Sequence, residues 1–380
     1  MISPGLIALF AATAGIAVAN IYYAQPMLGL IAADFGVPGA AAVGCVTAAQ
    51  LGYAAGIVLL VPLGDRVDRR RLMLGQCALL AAALLAAAAA PSLPLLAAAS
   101  ALVGAASTVA QQAIPFAAEL AGERERGRVV GRVMSGLLAG ILLARTVSGA
   151  VGEYLGWRPM FVLGAGLALA LLAWLWRALP GSRPAGQGGY GALLLSLVQL
   201  WRRHRALRRA TVVQGCLFAG FSAFWATLAL LLAAPPYRLG ADVAGLFGVV
   251  GLAGVLVAPL AGRMADRRGP WPVALAGVLL VLPGWAALAM PGLAAIALSV
   301  VLLDAGIQAS MIANQAAVFA LEPAARSRIN TVFITGLFLG GALGSAGSSV
   351  AWDAGGWPGV VLFGAAFAVL ALVAHLLGRR

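Results

Sequence analysis

Residues 61–71 read Val-Pro-Leu-Gly-Asp-Arg-Val-Asp-Arg-Arg-Arg, and an apolar run of helical length lies on each side of them, near 40–63 and 72–90. A helix needs about 20 residues to cross the ~30 Å hydrocarbon layer of a bilayer. The two runs therefore fit a pair of membrane-spanning helices joined by a short charged loop. This hairpin predicts an integral membrane protein.

The composition of the whole chain supports this interpretation. Of 380 residues, 62% are hydrophobic and 10% are charged, whereas soluble domains carry about 25% charged residues. A water-soluble enzyme would need more polar surface, and a disordered chain would be less apolar. Cys45, Cys77 and Cys216 lie singly in apolar runs. Their spacing gives no disulfide or metal-binding pattern, so we expect no metal and no cofactor.

Counting apolar runs along the chain gives twelve spans of an all-α membrane protein. They lie near residues 5–33, 40–63, 72–90, 95–119, 130–153, 160–177, 211–233, 243–262, 273–290, 293–320, 329–351 and 358–377. Only the central connection is long. We therefore predict an N-terminal six-helix half at 1–177, a linker at 178–210 and a C-terminal six-helix half at 211–380. In the linker, leucines and Trp201 precede a basic cluster, which predicts an interfacial helix on an anionic leaflet.

The arginines indicate the orientation. All 25 basic residues are Arg, and 22 of them lie in one set of alternating loops or at the C-terminus. Only Arg158 and Arg238 lie in the opposite loops, and Arg145 falls inside a span. The positive-inside rule then places both termini in the cytoplasm. The formal net charge of +13 therefore indicates membrane topology, with the lipid bilayer as partner and no nucleic acid.

The two halves repeat each other at a shift near 200 residues. Residues 61–66 align with 262–267, and the pairs Gly156-Trp157 and Gly356-Trp357 align as well. Spans 2, 5, 8 and 11 carry small residues every four positions, which lets helix backbones approach closely, although Gly and Ala are abundant throughout. The pattern predicts two parallel, pseudo-symmetric bundles.

Polar residues concentrate in spans 1, 4, 7 and 10, where four polar faces could enclose one wet cavity. The alternative is that they hold the bundle together by interhelical hydrogen bonds. Aromatic residues of spans 1 and 7 could stack a planar or cationic solute or simply pack. The predicted cavity residues are Asn20, Tyr22, Tyr23, Gln25, Gln111, Gln112, Phe221, Trp225, Gln308, Asn314 and Gln315.

With its Asp65-Arg66 and Asp266-Arg267 loops and its twelve spans, the chain resembles the major facilitator superfamily over essentially its whole length. The stretch 19–26 and Gly156-Trp157-Arg158 are similar to bacterial members near the drug:proton antiporter branch. Two features depart from that branch, since residues 98–104 contain no Arg and Ala144-Arg145 stands where a Gly-Pro pair is typical. The resemblance implies a transporter and not an enzyme, multi-pass in the bacterial inner membrane, monomeric, moving a small-molecule substrate by alternating access.

Arg145 and Asp304 are the charges placed well inside spans, and each costs about 2.5–3.5 kcal/mol at a helix centre. Arg145 could neutralise Asp304, hold a substrate anion or bind carbonyls between the halves. Asp304 is interpreted either as half of a structural ion pair or as the group that carries a coupling proton. We predict proton-coupled efflux of a small organic solute. The alternatives are proton-coupled uptake of a small metabolite and a receptor or channel without coupling.

The repeated loops predict a cytoplasmic gate. Asp65 and Asp266 lie where spans 2 and 8 end, and a carboxylate is disfavoured at the negative end of a helix dipole. Each therefore needs a partner from the other half, Asp65 at the start of span 11 and Asp266 at the start of span 5. The predicted gate residues are Asp65, Arg66, Asp266, Arg267, Arg128 and Arg328.

Overall fold

The computed structural model describes residues 2–122, 125–182, 189–322 and 325–378, and almost all of them are helical. The N-terminal half contains α1 (Pro4–Ala19), α2 (Leu28–Phe35), α3 (Gly39–Leu59), α4 (Arg69–Ala88), α5 (Leu93–Ser107), α6 (Val109–Leu120), α7 (Arg126–Leu155) and α8 (Trp157–Ala178). The linker forms α9 (Tyr190–Arg203). The C-terminal half contains α10 (Arg205–Ala233), α11 (Ala241–Val250), α12 (Leu252–Arg268), α13 (Pro270–Ala287), α14 (Leu293–Phe319) and α15 (Arg326–Leu377).

These helices confirm the twelve predicted spans. Nine helical segments of the described chain are long and apolar enough to cross a membrane. One of them, α15, has 52 residues, which at 1.5 Å per residue exceeds twice the hydrocarbon thickness. It bends at Gly356, whose φ of 58° suits glycine, and so supplies spans 11 and 12. The pairs α1–α2 and α11–α12 form spans 1 and 8.

Helix packing repeats between the halves, as the sequence predicted. In the N-terminal half α1 packs on α7, α3 on α5 and α4 on α8. In the C-terminal half the equivalent pairs are α10 with the first part of α15, α12 with α14, and α13 with the second part of α15. The most extensive contacts between the halves are those of α3 with α15 and of α7 with α11. Their spans are related by the same repeat, so the interface is pseudo-symmetric.

The two ends of the bundle differ. We call the end where α1 begins the terminus side and the opposite end, which holds residues 36–38 and 234–240, the far side. Contacts between the halves lie toward the far side. The Thr47 hydroxyl is 2.8 Å from that of Ser345, and the Ser349 hydroxyl donates to the Ala40 carbonyl at 2.8 Å. In this conformation the halves are therefore joined on the far side.

The second interhalf pair uses α7 and α11. The Thr146 hydroxyl donates to the Gly245 carbonyl at 3.2 Å. The carboxylate of Glu153, which lies near the end of α7, accepts a 2.8 Å hydrogen bond from the Ala241 backbone N–H. A carboxylate at the first turn of a helix satisfies an orphan donor and is favoured by the helix dipole. Glu153 thus connects the C-terminal end of α7 in the N-terminal half to the start of α11 in the C-terminal half.

The linker is anchored by the loop before α4. The Asp68 carboxylate caps α4 by accepting from the Arg70 N–H at 3.0 Å. It also accepts from the Ser182 N–H at 2.9 Å and the Ser182 hydroxyl at 3.2 Å. Farther along, Tyr190 donates its hydroxyl to the Leu59 carbonyl at 2.6 Å, and His204 lies 3.2 Å from Glu322. The linker is therefore tied to both halves on the terminus side.

Helix α9 differs in part from the predicted surface helix. Leu197 and Leu200 are buried because α9 packs on α10 and α15. Leu195 and Val198 remain exposed, so only part of the apolar face is available to lipid. The seventh span begins at Arg205, ahead of the predicted start at 211, since the helix continues through the basic cluster.

We expect Asp68→Ala to lower the stability of the folded protein. Partial burial alone would raise the pKa of the Asp68 carboxyl, but hydrogen bonds from Ser182 and Arg70 and the nearby Arg71 together lower it. A helix cap contributes about 0.5–2 kcal/mol. The apparent melting temperature in detergent should fall by a few degrees, and cleavage of the linker by protease should speed up.

The lowered pKa fixes the pH dependence of this effect. The stabilisation by Asp68 is fully present above its unfolded pKa of about 4 and is lost as the pH falls through the lower, folded value. The difference between Asp68→Ala and the wild type should therefore stay constant from about pH 5 to pH 8. Ser182→Ala keeps the cap of α4, so it should accelerate cleavage of the linker without lowering the melting temperature. Equal proteolysis of all three proteins would contradict the anchor.

Candidate substrate cavity

A cavity of about 260 Å³ lies between the two halves. Spans from both halves contribute to it, and most of its lining is apolar. Of the residues predicted from the sequence, it is lined by Tyr22, Gln111, Arg145, Phe221, Trp225, Asp304, Gln308 and Gln315. Apolar and aromatic residues complete the wall, including Tyr53, Leu137, Phe218, Ile307, Met311 and Phe338. Both intramembrane charges thus face the same space.

Arg145 is held in a cage of aromatic and amide groups. Its side chain is on α7 and only 4% of the residue is exposed. The guanidinium carbon lies 4.0 Å from the centre of the Trp225 ring and 4.6 Å from that of Tyr22, distances typical of cation–π contacts. Its Nε donates to the Gln25 side chain at 2.9 Å. Nη2 is buried and has no hydrogen-bond partner among the described residues.

A break in the first span brings these partners to Arg145. Regular α-helix ends at Ala19 and resumes at Leu28, and a short 3₁₀ turn covers Gln25–Met27. The Asn20 side chain donates to the Ile16 carbonyl at 2.7 Å, which satisfies an acceptor at the helix end. Irregular backbone at membrane depth occurs where protein or a cavity surrounds it. This break lies beside the cavity and places Tyr22 and Gln25 there.

Asp304 lies opposite, on α14 of the C-terminal half. Glycines at the junction of α11 and α12 let α14, the helix that carries Asp304, approach this junction closely. A Cβ at Gly254 would lie 2.7 Å from the backbone carbon of Asp304, and one at Gly251 would lie 2.8 Å from its Oδ2. Oδ2 is buried and accepts no hydrogen bond from the described residues. Asp304 therefore presents an unsatisfied acceptor beside the cavity.

Arg145 and Asp304 do not form a direct ion pair. Within the described chain no oxygen of Asp304 lies within 4.0 Å of the guanidinium. Arg145 packs against Gly248 and Asp304 against Gly251, two positions three residues apart near the end of α11. The contact at Gly248 is with the Cβ and Cδ of Arg145, and the contact at Gly251 is with the carboxylate of Asp304. Opposite charges face one cavity without contact.

Five predicted cavity residues lie outside the lining and have structural contacts instead. They are Asn20, Tyr23, Gln25, Gln112 and Asn314. Asn20 and Tyr23 face Gly164 of α8. Gln112 donates to the Leu60 carbonyl at 2.9 Å. Gln25 binds Arg145, as described above, and Asn314 donates to the Ser310 hydroxyl at 3.1 Å. Gln25 and Gln112 thus make hydrogen bonds between spans, as in the alternative interpretation, whereas those of Asn20 and Asn314 stay within their own spans.

A polar network between the halves was not predicted. Gln50 on α3 donates to the Ser222 hydroxyl at 2.6 Å and accepts from Ser345 at 3.0 Å. Gln50 is 1% exposed, so this network closes the interface next to the cavity. The signal in the sequence was a lone amide inside the small-residue ladder of span 2, where interhelical hydrogen bonds are expected.

On the terminus side, the predicted contacts between halves are not made in this conformation. Asp65 pairs with Arg69 at 3.1 Å, and Arg69 also pairs with Glu119, all within the N-terminal half. Arg66 donates to the Gly189 carbonyl at 3.1 Å. Among the described residues, no ion pair joins Asp65 or Asp266 to the other half. The gate residues thus lie on the terminus side, away from the hydrogen bonds that join the halves.

A membrane protein of two repeated six-helix halves around a shared cavity, whose described direct hydrogen bonds between the halves lie toward one end, has the architecture of an alternating-access carrier. The model of the Major Facilitator Superfamily matches residues 7–321. The chain belongs to this family and is a multi-pass membrane transporter, not an enzyme.

Individual relatives agree with this assignment. The chain is 42% identical to the uncharacterized transporter YgaY of Escherichia coli O157:H7, over 98% of this chain and 95% of that protein. It is 28% identical to the chloramphenicol resistance protein of Streptomyces lividans, over 68% of this chain and 66% of that protein. Among solved structures, a bacterial homologue of the human lysosomal transporter Spinster, inward-facing and unoccupied, has the same fold. Its TM-score is 0.77 at 14% identity, covering 100% of this chain and 98% of that one.

Proposed function

We propose that this transporter exports a small organic solute across the bacterial inner membrane in exchange for protons, acting as a monomer. One observation carries the proposal. Asp304 has a buried carboxylate oxygen without a partner, in a cavity that it shares with the buried Arg145. A carboxyl group in such a place is costly to keep charged and changes its proton affinity with the distance to a cation.

The two charges lie on different halves, and this placement supports coupling. Arg145 belongs to α7 and Asp304 to α14, so rocking of the halves changes their separation. When Arg145 is near, it favours the charged carboxylate; when it is far, the neutral acid is favoured. Proton affinity then alternates with the side to which the cavity opens, which links proton movement to solute movement.

Export is favoured over uptake by the resemblance to a chloramphenicol resistance protein. Uptake of a small metabolite by the same fold is the second candidate, since alternating access works in either direction. A receptor or channel without coupling is the third. The continuous contacts between halves on the far side favour a carrier, because a channel would need an open path to both sides at once.

Proteoliposomes under an imposed pH gradient test the proposal. The probes are radiolabelled chloramphenicol and a set of neutral, cationic, anionic and zwitterionic metabolites. A proton-coupled carrier should move at least one probe against its concentration gradient and should reverse direction when the pH gradient is reversed. Downhill flux that is insensitive to the pH gradient would indicate a channel or uniporter and would contradict coupling.

The terminus side is proposed to be cytoplasmic, on the basis of the 22-to-2 arginine distribution. In a variant without the three native cysteines, single cysteines in the loops 64–71 and 263–272 should react only with a reagent supplied from the cytoplasm. Cysteines near Ala234 or Asp353 should react only from outside. Labelling of position 64 from outside in intact cells would overturn the orientation.

We also propose that Asp65 and Asp266 lock the cytoplasmic gate in the opposite, outward-open state, by contacts with the starts of α15 and α7. Asp65→Asn should slow transport several-fold with normal membrane insertion, and Asp266→Asn should behave alike because of the repeat. Transport at the wild-type rate in both variants would exclude the lock. Asp353→Asn, a change of an exposed carboxylate on the far side, is the matched control.

A further inference from the structure

The cavity holds one cation and one anion that are each left partly unsatisfied. Arg145 is 4% exposed, and its Nη2 is buried without a partner in the described chain, as is Oδ2 of Asp304. Leaving charged groups buried and unpaired is costly unless something else completes them. The two groups do not complete each other, because they do not form an ion pair. A ligand that carries both complementary charges would satisfy both.

The orientation of Arg145 suits a carboxylate. Trp225 and Tyr22 cover the guanidinium, and Gln25 occupies its Nε. The remaining donors lie at the edge of the group, where a carboxylate makes its short charge-assisted hydrogen bonds. The aromatic and amide contacts also fix the side chain, so little rotamer entropy is lost on binding.

The position of Asp304 suits an ammonium group. Its Oδ2 is buried beside Gly251 and has no hydrogen-bond partner in the described chain. Asp304 and Arg145 line the same cavity of about 260 Å³, so a compact solute can reach both side chains at once. The rest of the wall is apolar and aromatic, with Tyr53, Phe218 and Phe338 nearby, and this surface suits a hydrophobic side group.

We propose that the solute is a small zwitterion, with a carboxylate and an ammonium group on neighbouring atoms and an apolar side group. This inference rests on the proposed function and names its substrate class. The carboxylate binds Arg145 of the N-terminal half, and the ammonium binds Asp304 of the C-terminal half. The bound solute thus bridges the halves, and a proton and the ammonium group compete for Asp304. A solute with only one of these charges leaves a buried group unpaired and is rejected.

Binding to the purified protein in detergent tests this without any gradient. The probes are glycine, L-leucine, L-phenylalanine and L-tryptophan, with 3-phenylpropionate, which lacks the ammonium group, and 2-phenylethylamine, which lacks the carboxylate. Ligands that bind the folded state raise the melting temperature with concentration. At least one zwitterion should bind, and each single-charge analogue of phenylalanine should bind at least tenfold more weakly than phenylalanine. Binding by no zwitterion, or equal binding by an analogue, would overturn the proposal.

Two variants test which side chain binds which charge of the solute. Asp304→Asn should abolish the preference for phenylalanine over 3-phenylpropionate while keeping the preference over 2-phenylethylamine, and Arg145→Gln should do the reverse. Loss of both preferences in one variant would contradict the assignment of the carboxylate to Arg145 and the ammonium to Asp304. The analogue series on the wild-type protein decides the substrate class even if a variant does not fold. Selective zwitterion binding without gradient-driven transport would refute only proton coupling. Uphill transport of a solute that is not a zwitterion would refute only this inference.

Discussion

Asp304→Asn should abolish uphill transport under a pH gradient while leaving solute exchange measurable. The amide has nearly the shape of the protonated acid but binds and releases no proton, so the coupled step loses its carrier. Counterflow exchange, in which labelled solute enters against unlabelled solute, needs only alternating access. Because the amide is uncharged, we expect weaker binding, and exchange should be measured at saturating solute. The initial rate of uphill accumulation should fall to the background of empty liposomes.

Two comparisons make this result specific. Asp353→Asn removes an exposed carboxylate of the same half and should transport normally. Two other carboxylates lie near the ends of spans, Asp34 in span 1 and Glu119 in span 4, and would be the next candidates for carrying the proton. Each pairs with an arginine, Arg158 or Arg69, outside the cavity. Wild-type accumulation by Asp304→Asn would show that the proton is carried elsewhere. It would leave Asp304 with a structural role, as in the alternative interpretation of the sequence.

The fold was readable from the sequence because apolar length and loop charge are local properties. The twelve spans and the pairing of the two halves follow from run length and from the repeat of 61–66 at 262–267. The two intramembrane charges were equally visible, since Arg145 and Asp304 stand alone in apolar surroundings. The structure places both beside one cavity.

Which polar residues face the cavity could not be read in the same way. Prediction of a helix face assumes a continuous helix, and the first span is interrupted between Ala19 and Leu28. Within the break, Tyr22 lines the cavity and Tyr23 faces Gly164 of α8, and the direction of each side chain depends on how the irregular backbone turns there. The aromatic cage of Arg145 combines residues from spans 1 and 7, and a single sequence contains no direct signal for such a contact.

The small-residue ladder of span 2 also shows that a single sequence does not reveal packing contacts. Its glycines are alike in sequence, but their surroundings in the structure differ. Gly44 and Gly52 are two steps apart in one four-residue ladder on α3. At Gly52 a Cβ would overlap the carbonyl oxygen of Ala101 on α5, whereas at Gly44 nothing lies within 4 Å. Only Gly52 is needed for the contact between α3 and α5.

We therefore expect Gly52→Ala to destabilise the protein strongly and Gly44→Ala to be neutral or slightly stabilising. Both changes favour the helix by up to about 1 kcal/mol, so helix propensity cancels in the comparison. The added methyl at position 52 meets backbone, which cannot rotate away as a side chain can, and overpacking costs about 1–3 kcal/mol or more. The melting temperature and the monodisperse fraction in detergent should fall for Gly52→Ala alone. Equal values for the two variants would mean that α3 and α5 are not in close backbone contact at Gly52, and would remove the packing argument for the ladder.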